Sequence, residues 1–315
     1  MDIQIIVIWI MRAALIIGIV FIAFLLIRHV KKQFITKVGL AQFNKQKKFA
    51  PYNGIVAFCA SFLDVLGIGS YATTTAAVKI RGSIDDINIP GTLNAGFAIP
   101  VCVEGLLFIG NIEADILTLV VMILSSVIGS FIGAKIVSGL NRTAIRIGVG
   151  VGLISVGFIM ICKQTGIGPF GLTGTATGLL GFDLVIAGLV CFILGGLMNL
   201  GVGMYAPTFA LVTLLGMDTT VAFPVMFGSC AYLMAFGSGP KFIKTGRIDT
   251  VACLLIASIG TIGVIVCYST VYKVLTSNIN ILFWVITVIV FLTAILFLKD
   301  GIKDIIKFNK CKQHE

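Results

Sequence analysis

Charge is what this chain has least of. Only 11% of its 315 residues are Asp, Glu, Lys or Arg, with 13 acidic residues against 23 basic ones. Soluble domains carry about 25% charged residues. The shortage therefore excludes an ordinary soluble protein and, beside long apolar runs, a disordered chain, a collagen, a coiled coil or a disulfide-stapled scaffold. Histidine is nearly missing: His29 and His314 are the two, each beside a basic segment. That leaves nothing to build a histidine-based triad, metal site or proton shuttle. No cysteine pair has metal-ligand or C-x-x-C spacing. Cys59, Cys102, Cys162, Cys191, Cys230, Cys253 and Cys267 lie singly in apolar runs and Cys311 in a polar tail, so they read as small apolar residues. A phosphate-cradling G-x-x-x-x-G-K motif is missing as well, which argues against an ATP-driven pump. These absences predict a chain that is not an enzyme, holds no cofactor or metal and binds no nucleic acid.

Apolar residues fill the space that charge leaves. They make up 58% of the chain, with a mean hydropathy of +1.10, so lipid must be the solvent for most of it. Runs long enough to cross ~30 Å of hydrocarbon occur at Ile3–Ile27, Pro90–Gly110, Ile116–Leu140, Ala144–Cys162, Val221–Ile243, Thr250–Val271 and Ile281–Leu298. Two further runs, Gly54–Ile80 and Asp183–Leu215, are interrupted at Gly67-Ile68-Gly69 and Gly201-Val202-Gly203, where a helix should stop. The first run begins Met1-Asp2, without the basic start or small-residue cleavage site of a signal peptide, and reads as a retained span.

Superposing the two glycine breaks at an offset of 134 residues reveals a duplication. Gly67, Gly69, Tyr71 and Ala72 fall on Gly201, Gly203, Tyr205 and Ala206. Ala76, Val78, Gly82 and Pro90 fall on Ala210, Val212, Gly216 and Pro224. After a two-residue shift, Gly110 to Glu113 fall on Gly246 to Asp249. Internal duplication in a helical membrane protein points to a transporter whose site lies where the repeats meet.

Positive charge, which accumulates inside, arbitrates the topology. If both broken segments span, Lys79, Arg81, Lys135, Arg142, Arg146 and Lys273 lie outside; if each is a re-entrant hairpin, only Lys163 and Lys273 do. The arms Gly54–Leu66 and Ser70–Ile80 rise about 20 Å and 16 Å, too short to cross singly, whereas Asp183–Leu200 just spans. The expected fold is an all-α polytopic membrane protein of two inverted structural repeats, with seven full transmembrane helices plus two broken, re-entrant hairpins. Its parts are 1–53, a transmembrane helix and basic amphipathic linker; 54–163, repeat 1; 164–298, repeat 2; and 299–315, a basic tail. The expected setting is the cytoplasmic membrane, N-terminus outside and C-terminus cytoplasmic. The cations of Arg28–Lys48, interleaved with Val30, Phe34, Ile35, Val38, Leu40 and Phe43, lie along anionic lipid. The tail reads as a short amphipathic helix presenting Ile302, Ile305, Ile306 and Phe308.

A helix that restarts inside the membrane offers unpaired N–H groups and the positive end of its dipole to an anion. Two such restarts are Gly69-Ser70-Tyr71-Ala72-Thr73-Thr74 and Gly203-Met204-Tyr205-Ala206-Pro207-Thr208, with Pro207 suited to a first helical turn. Their glycines, Gly67, Gly69, Gly201 and Gly203, admit close approach. Ser70, Tyr71, Thr73, Thr74, Tyr205 and Thr208 add hydroxyls, and Asn94, Asn199 and Ser229 complete a polar cage. The competing reading of any one hydroxyl is a bond to its own helix. Asp64, before the first break, and Glu104, inside an apolar span, are costly in hydrocarbon and suit coupling to protons or Na⁺. At the 134-residue offset they meet Met198 and Ser238.

The duplicated unit, Gly201 to Pro207 (GVGMYAP) with Gly216 to Ala222 (GMDTTVA), and Pro240 to Gly246 (PKFIKTG) together resemble the TauE/SafE sulfite exporters, also described as the toluene sulfonate uptake permease group. The resemblance covers most of the chain from Gly54 onward. It departs from the family's three consecutive glycines, with Gly67-Ile68-Gly69-Ser70 and Gly201-Val202-Gly203-Met204 here. It implies a secondary carrier of sulfite, sulfonates, sulfoacetate or related anions in the cytoplasmic membrane. The expected partners are a small anionic substrate, protons and membrane lipids. The residues leave two alternatives open: a cation carrier or channel using Asp64, Glu104 and break carbonyls, and a scaffolding protein, which leaves the duplicated breaks unexplained.

Overall fold

The computed structural model describes residues 3–85, 87–136, 142–165, 174–198, 204–272, 274 and 279–312. Those residues are almost wholly helical, with no strand among them. Five helical stretches are long and apolar enough to cross a membrane: 4–35, 89–108, 181–198, 219–245 and 250–272. This is an all-α membrane protein.

The first helix, α1 (Ile3–Ile35), is about 50 Å long and runs beyond any apolar core into the basic linker. The linker then folds as α2 (Lys37–Lys47), capped by the Thr36 hydroxyl accepting the Gly39 N–H. Its buried Gln46 Oε1 accepts the N–H groups of Thr250 and Val251, so the linker is bolted to the start of a distant helix while Phe34, Ile35 and Val38 stay exposed.

Helix α3 (Ala50–Val65) starts four residues before the expected boundary at Gly54, because Pro51 sits comfortably in a first turn. It stops at Gly67 and Gly69, both at φ +84°, and the chain restarts as α4 (Ser70–Arg81). Neither arm, at about 24 Å and 18 Å, crosses ~30 Å alone. Next come α5 (Ile89–Gly96) and α6 (Ala98–Phe108), one crossing with a joint at Phe97, then α7 (Ile116–Ile136) and α8 (Arg142–Thr165).

In the second half, α9 (Gly181–Met198) is a candidate span, whereas the re-entrant reading expects a short arm. Phe182 in its first turn and Leu180 just before it are exposed apolar residues. Helix α10 (Tyr205–Leu214) follows. Helix α11 (Ala222–Tyr232) passes through a π-helical stretch, Leu233–Ser238, into α12 (Gly239–Thr245); Pro240, with no N–H, favours the wide turn there. Helices α13 (Thr250–Leu255) and α14 (Thr261–Cys267) likewise join through π-helical turns. The last helix, α15 (Ile279–Lys312), carries the tail as its own continuation rather than as a separate short helix. Gly301 alone does not break it.

Packing pairs α7 with α9, α8 with α15, α6 with α11, and α3 with the helix 250–272. The first and last of these approach through glycine. A Cβ at Gly129 of α7 would meet the Phe192 carbonyl oxygen at 1.9 Å, and one at Gly195 of α9 would meet that of Ser126 at 1.9 Å. A Cβ at Gly263 would meet the Phe58 carbonyl oxygen at 2.6 Å, and one at Gly260 would meet the Ser61 hydroxyl at 2.6 Å. Residues 263 and 58 are 129 and 192 displaced by 134, and 260 and 61 are 126 and 195 displaced likewise. The same offset relates two helix ends. Gly82 (φ +60°) with Ser83 donates to the carbonyls of Lys79 and Val78, and Gly216 (φ +74°) with Met217 donates to those of Thr213 and Val212. It also relates two caps, Asp115 accepting the Thr118 N–H and Asp249 accepting the Ala252 N–H. At the 134-residue offset it is Asp115 that meets Asp249, whereas the two-residue shift brings Glu113 there.

Replacing Gly195 with Leu should destabilise the protein by about 1–3 kcal/mol, the usual cost of overpacking. A thermal unfolding comparison with Leu189→Ala, altered on an exposed face of the same helix, checks this: Gly195→Leu should melt clearly lower.

Candidate functional site

The first break is closed by a side chain. Asp64, fully buried near the end of α3, accepts the Ser70 N–H on Oδ1 at 2.7 Å. It thus occupies the start of α4, where a restarted helix favours negative charge. The turn itself is held by Gly67 N–H to the Asp64 carbonyl (2.8 Å) and Ile68 N–H to that of Leu63 (3.2 Å). No side chain fits at Gly67, since a Cβ there would lie 2.6 Å from the Phe209 ring. At Gly69 the space is open, and only the positive φ demands glycine.

From the other half of the chain, the Tyr205 hydroxyl at the start of α10 donates to Asp64 Oδ2 at 3.4 Å. The two restarts thus meet on one carboxylate. Glu104, on α6, is fully buried, and neither of its oxygens has a hydrogen-bond partner among the described residues. Asp64 lies within electrostatic reach of Glu104, Tyr71, Tyr205 and Cys230. The hydroxyls of Ser61, Tyr71, Thr74 and Ser229 are also buried and unpartnered among the described residues. Unspent hydrogen-bonding capacity of this kind is unusual in a folded interior and needs an explanation.

Other expected cage members turn away. Thr73 donates to the carbonyls of Gly69 and Ser70, and Thr208 to that of Met204, each within its own helix. Asn94 donates to the Pro90 carbonyl and accepts the Ser238 hydroxyl at 2.6 Å. Pro207 falls in the first turn of α10. Asn199, Gly201 and Gly203 lie outside the described residues.

Three features were not singled out from sequence. Ser61 sits one turn before Asp64, a spacing that puts both on one helix face and made it legible. Cys230, whose thiol lies 3.7 Å from the Met198 sulfur, was not, because only tertiary packing brings α9 and α11 together. The third is a wall of rings. Phe108 packs against Phe227, Tyr272, Phe223 and Tyr268 with centroids 4.7 to 5.3 Å apart, while Phe209 packs on Phe223 and Tyr205 on Phe227. The cluster surrounds the C-terminal end of α6 and reaches Tyr205 through Phe227.

No family model matches this chain, and neither a curated protein nor a solved structure matches it.

Two buried carboxyls, Asp64 and Glu104, are costly in a membrane interior unless they are neutral or paired. Asp64→Ala should leave the Ser70 N–H unpaired and lower stability by about 1–3 kcal/mol, whereas Asp64→Asn keeps an acceptor and should lose less. Thermal unfolding of the two variants checks the capping role; equal losses would count against it.

Proposed function

We propose that the chain is a secondary-active carrier of a small anion, working by alternating access between two inverted repeats. Asp64 and Glu104 carry its coupling protons. The observation that carries this reading is Glu104, buried with both oxygens unpartnered beside Asp64. A carboxylate in such a place repels an incoming anion, and a neutral carboxyl does not. Anion binding and proton uptake are then one linked event, and the proton gradient supplies the energy.

The duplication is supported by the exchange of contacts in which Gly129 on Phe192 repeats as Gly263 on Phe58. A contact between two halves that recurs with the halves interchanged is what a pseudo-two-fold axis produces, and such an axis in the membrane plane lets one half rock against the other. The anion would sit between the starts of α4 and α10. Their N–H groups and the hydroxyls of Ser70, Tyr71, Thr74 and Ser229 donate to it, and Tyr205 hands over its bond from Asp64. The resemblance noted above gives the substrate class: sulfite, a sulfonate or a sulfoacetate-like anion, moved across the cytoplasmic membrane with the N-terminus outside.

A second reading keeps the same oxygens for a cation. Glu104 and Asp64 with the break carbonyls offer hard oxygen ligands suited to Na⁺ or a divalent ion.

Flux of sulfite, thiosulfate, sulfoacetate and taurine into proteoliposomes, with and without a pH gradient, separates the two. The carrier reading expects saturable anion flux that grows with the gradient, and expects Glu104→Gln to keep flux while losing most of its pH response. An unchanged pH response in Glu104→Gln removes Glu104 from coupling; Na⁺ or divalent uptake without anion flux selects the cation reading.

A further inference from the structure

We propose that an anionic phospholipid binds between α3 and the helix 250–272, one acyl chain in a groove between the two and its headgroup on Lys47 and Lys48. This goes beyond a general attraction of the basic linker to anionic lipid, because it names one site and one occupant. The groove is open and holds about 500 Å³, within the range of sites that take small ligands. Pro51, Gly54, Ile55 and Phe58 form one wall and Leu255 with Ile259 the other. Every residue lining it is apolar, so it offers nothing to a hydrated ion and much to a hydrocarbon chain. Gly54 keeps it open: a Cβ there would already lie 3.1 Å from Ile259 Cδ1. From Pro51 to Phe58 the groove follows α3 for about 10 Å.

Charge at the mouth selects the headgroup. Lys45, Lys47 and Lys48 are exposed at the end of α2, and Lys48 stands three positions before Pro51. No Asp or Glu occurs between residues 3 and 63 or between 250 and 272. Asp249, at the head of the second wall, is buried and accepts the Ala252 N–H. The cations are also fixed relative to the groove, since Gln46 Oε1 accepts the Thr250 and Val251 N–H groups at 3.2 and 3.4 Å. The end of α2 is thus tied to the helix that forms the second wall. Cations of this kind attract anionic headgroups at the membrane surface. A second copy of the chain fits less well, because a two-fold contact through this groove would set Lys47 and Lys48 against their own images. A lipid seated here touches both halves of the chain and holds them together where they join.

The test is lipid binding to the purified full chain in a non-ionic detergent, read by native mass spectrometry with dioleoyl phosphatidylglycerol or dioleoyl phosphatidylcholine. The unaltered protein should retain one phosphatidylglycerol, bound about tenfold more tightly than phosphatidylcholine. Lys47→Gln with Lys48→Gln should remove most of that preference and leave phosphatidylcholine binding unchanged. Lys299→Gln with Lys303→Gln, at exposed cations of α15, should change nothing. Gly54→Leu fills the groove and should weaken both lipids; Ile55→Gln, at a position 67% exposed, should do the same where Gly54→Leu does not fold. Equal binding of the two lipids, an equal loss in the Lys299 and Lys303 variant, or unchanged binding in folded Gly54→Leu and Ile55→Gln overturns the site. So does a dimer that Ile55→Gln dissociates, which would give the groove to a second copy. Binding is read without transport, so this result and the carrier reading stand or fall separately.

Discussion

Inside a membrane no water stands ready to satisfy a broken backbone, so an interrupted helix survives only if the protein supplies partners of its own. The bond from the Ser70 N–H to Asp64 Oδ1 meets that requirement here. It allows α3 to end and α4 to begin at depth, and it fixes a carboxylate where the second half of the chain can reach it through Tyr205. On the proposed carrier reading, the charge that stabilises the restart occupies the place an anionic substrate would take, so substrate and Asp64 would compete for one positive helix end. Proton uptake is the simplest way to settle that competition, because a protonated Asp64 still caps through its carbonyl oxygen while no longer repelling an anion.

Helices that meet through glycine, as α7 meets α9 and α3 meets the helix 250–272, touch along backbone rather than interlocked side chains. The linker α2, bolted to the start of α13 by Gln46, and α5, whose Thr92 hydroxyl accepts the Asp249 N–H at 2.8 Å, join the two halves at the basic end.

Much of this was legible in the residues because membrane sequences are plain. Long apolar runs give the helices, and Gly67 with Gly69 gives the break, since their positive φ is a conformation that other residues resist. The 134-residue offset pairs Gly82 with Gly216, and both adopt left-handed φ. Asp64 and Glu104 stand out because carboxyls are rare in such runs. What could not be read was any feature set by long-range packing. Nothing local distinguishes Thr73, turned into its own helix, from Thr74, whose hydroxyl is left unpartnered among the described residues. Nothing places Cys230 beside Met198, or assembles Phe108, Phe209, Phe223 and Tyr272 into one wall.

The central claim is that anion binding and protonation of the buried carboxyl pair are linked. It is tested most directly by counting protons taken up when the purified protein, in weakly buffered detergent solution, binds thiosulfate, an anion that is itself fully ionised near neutral pH. The account predicts about one proton taken up per anion bound, and less in Glu104→Gln. Saturable thiosulfate binding with no proton uptake would contradict it.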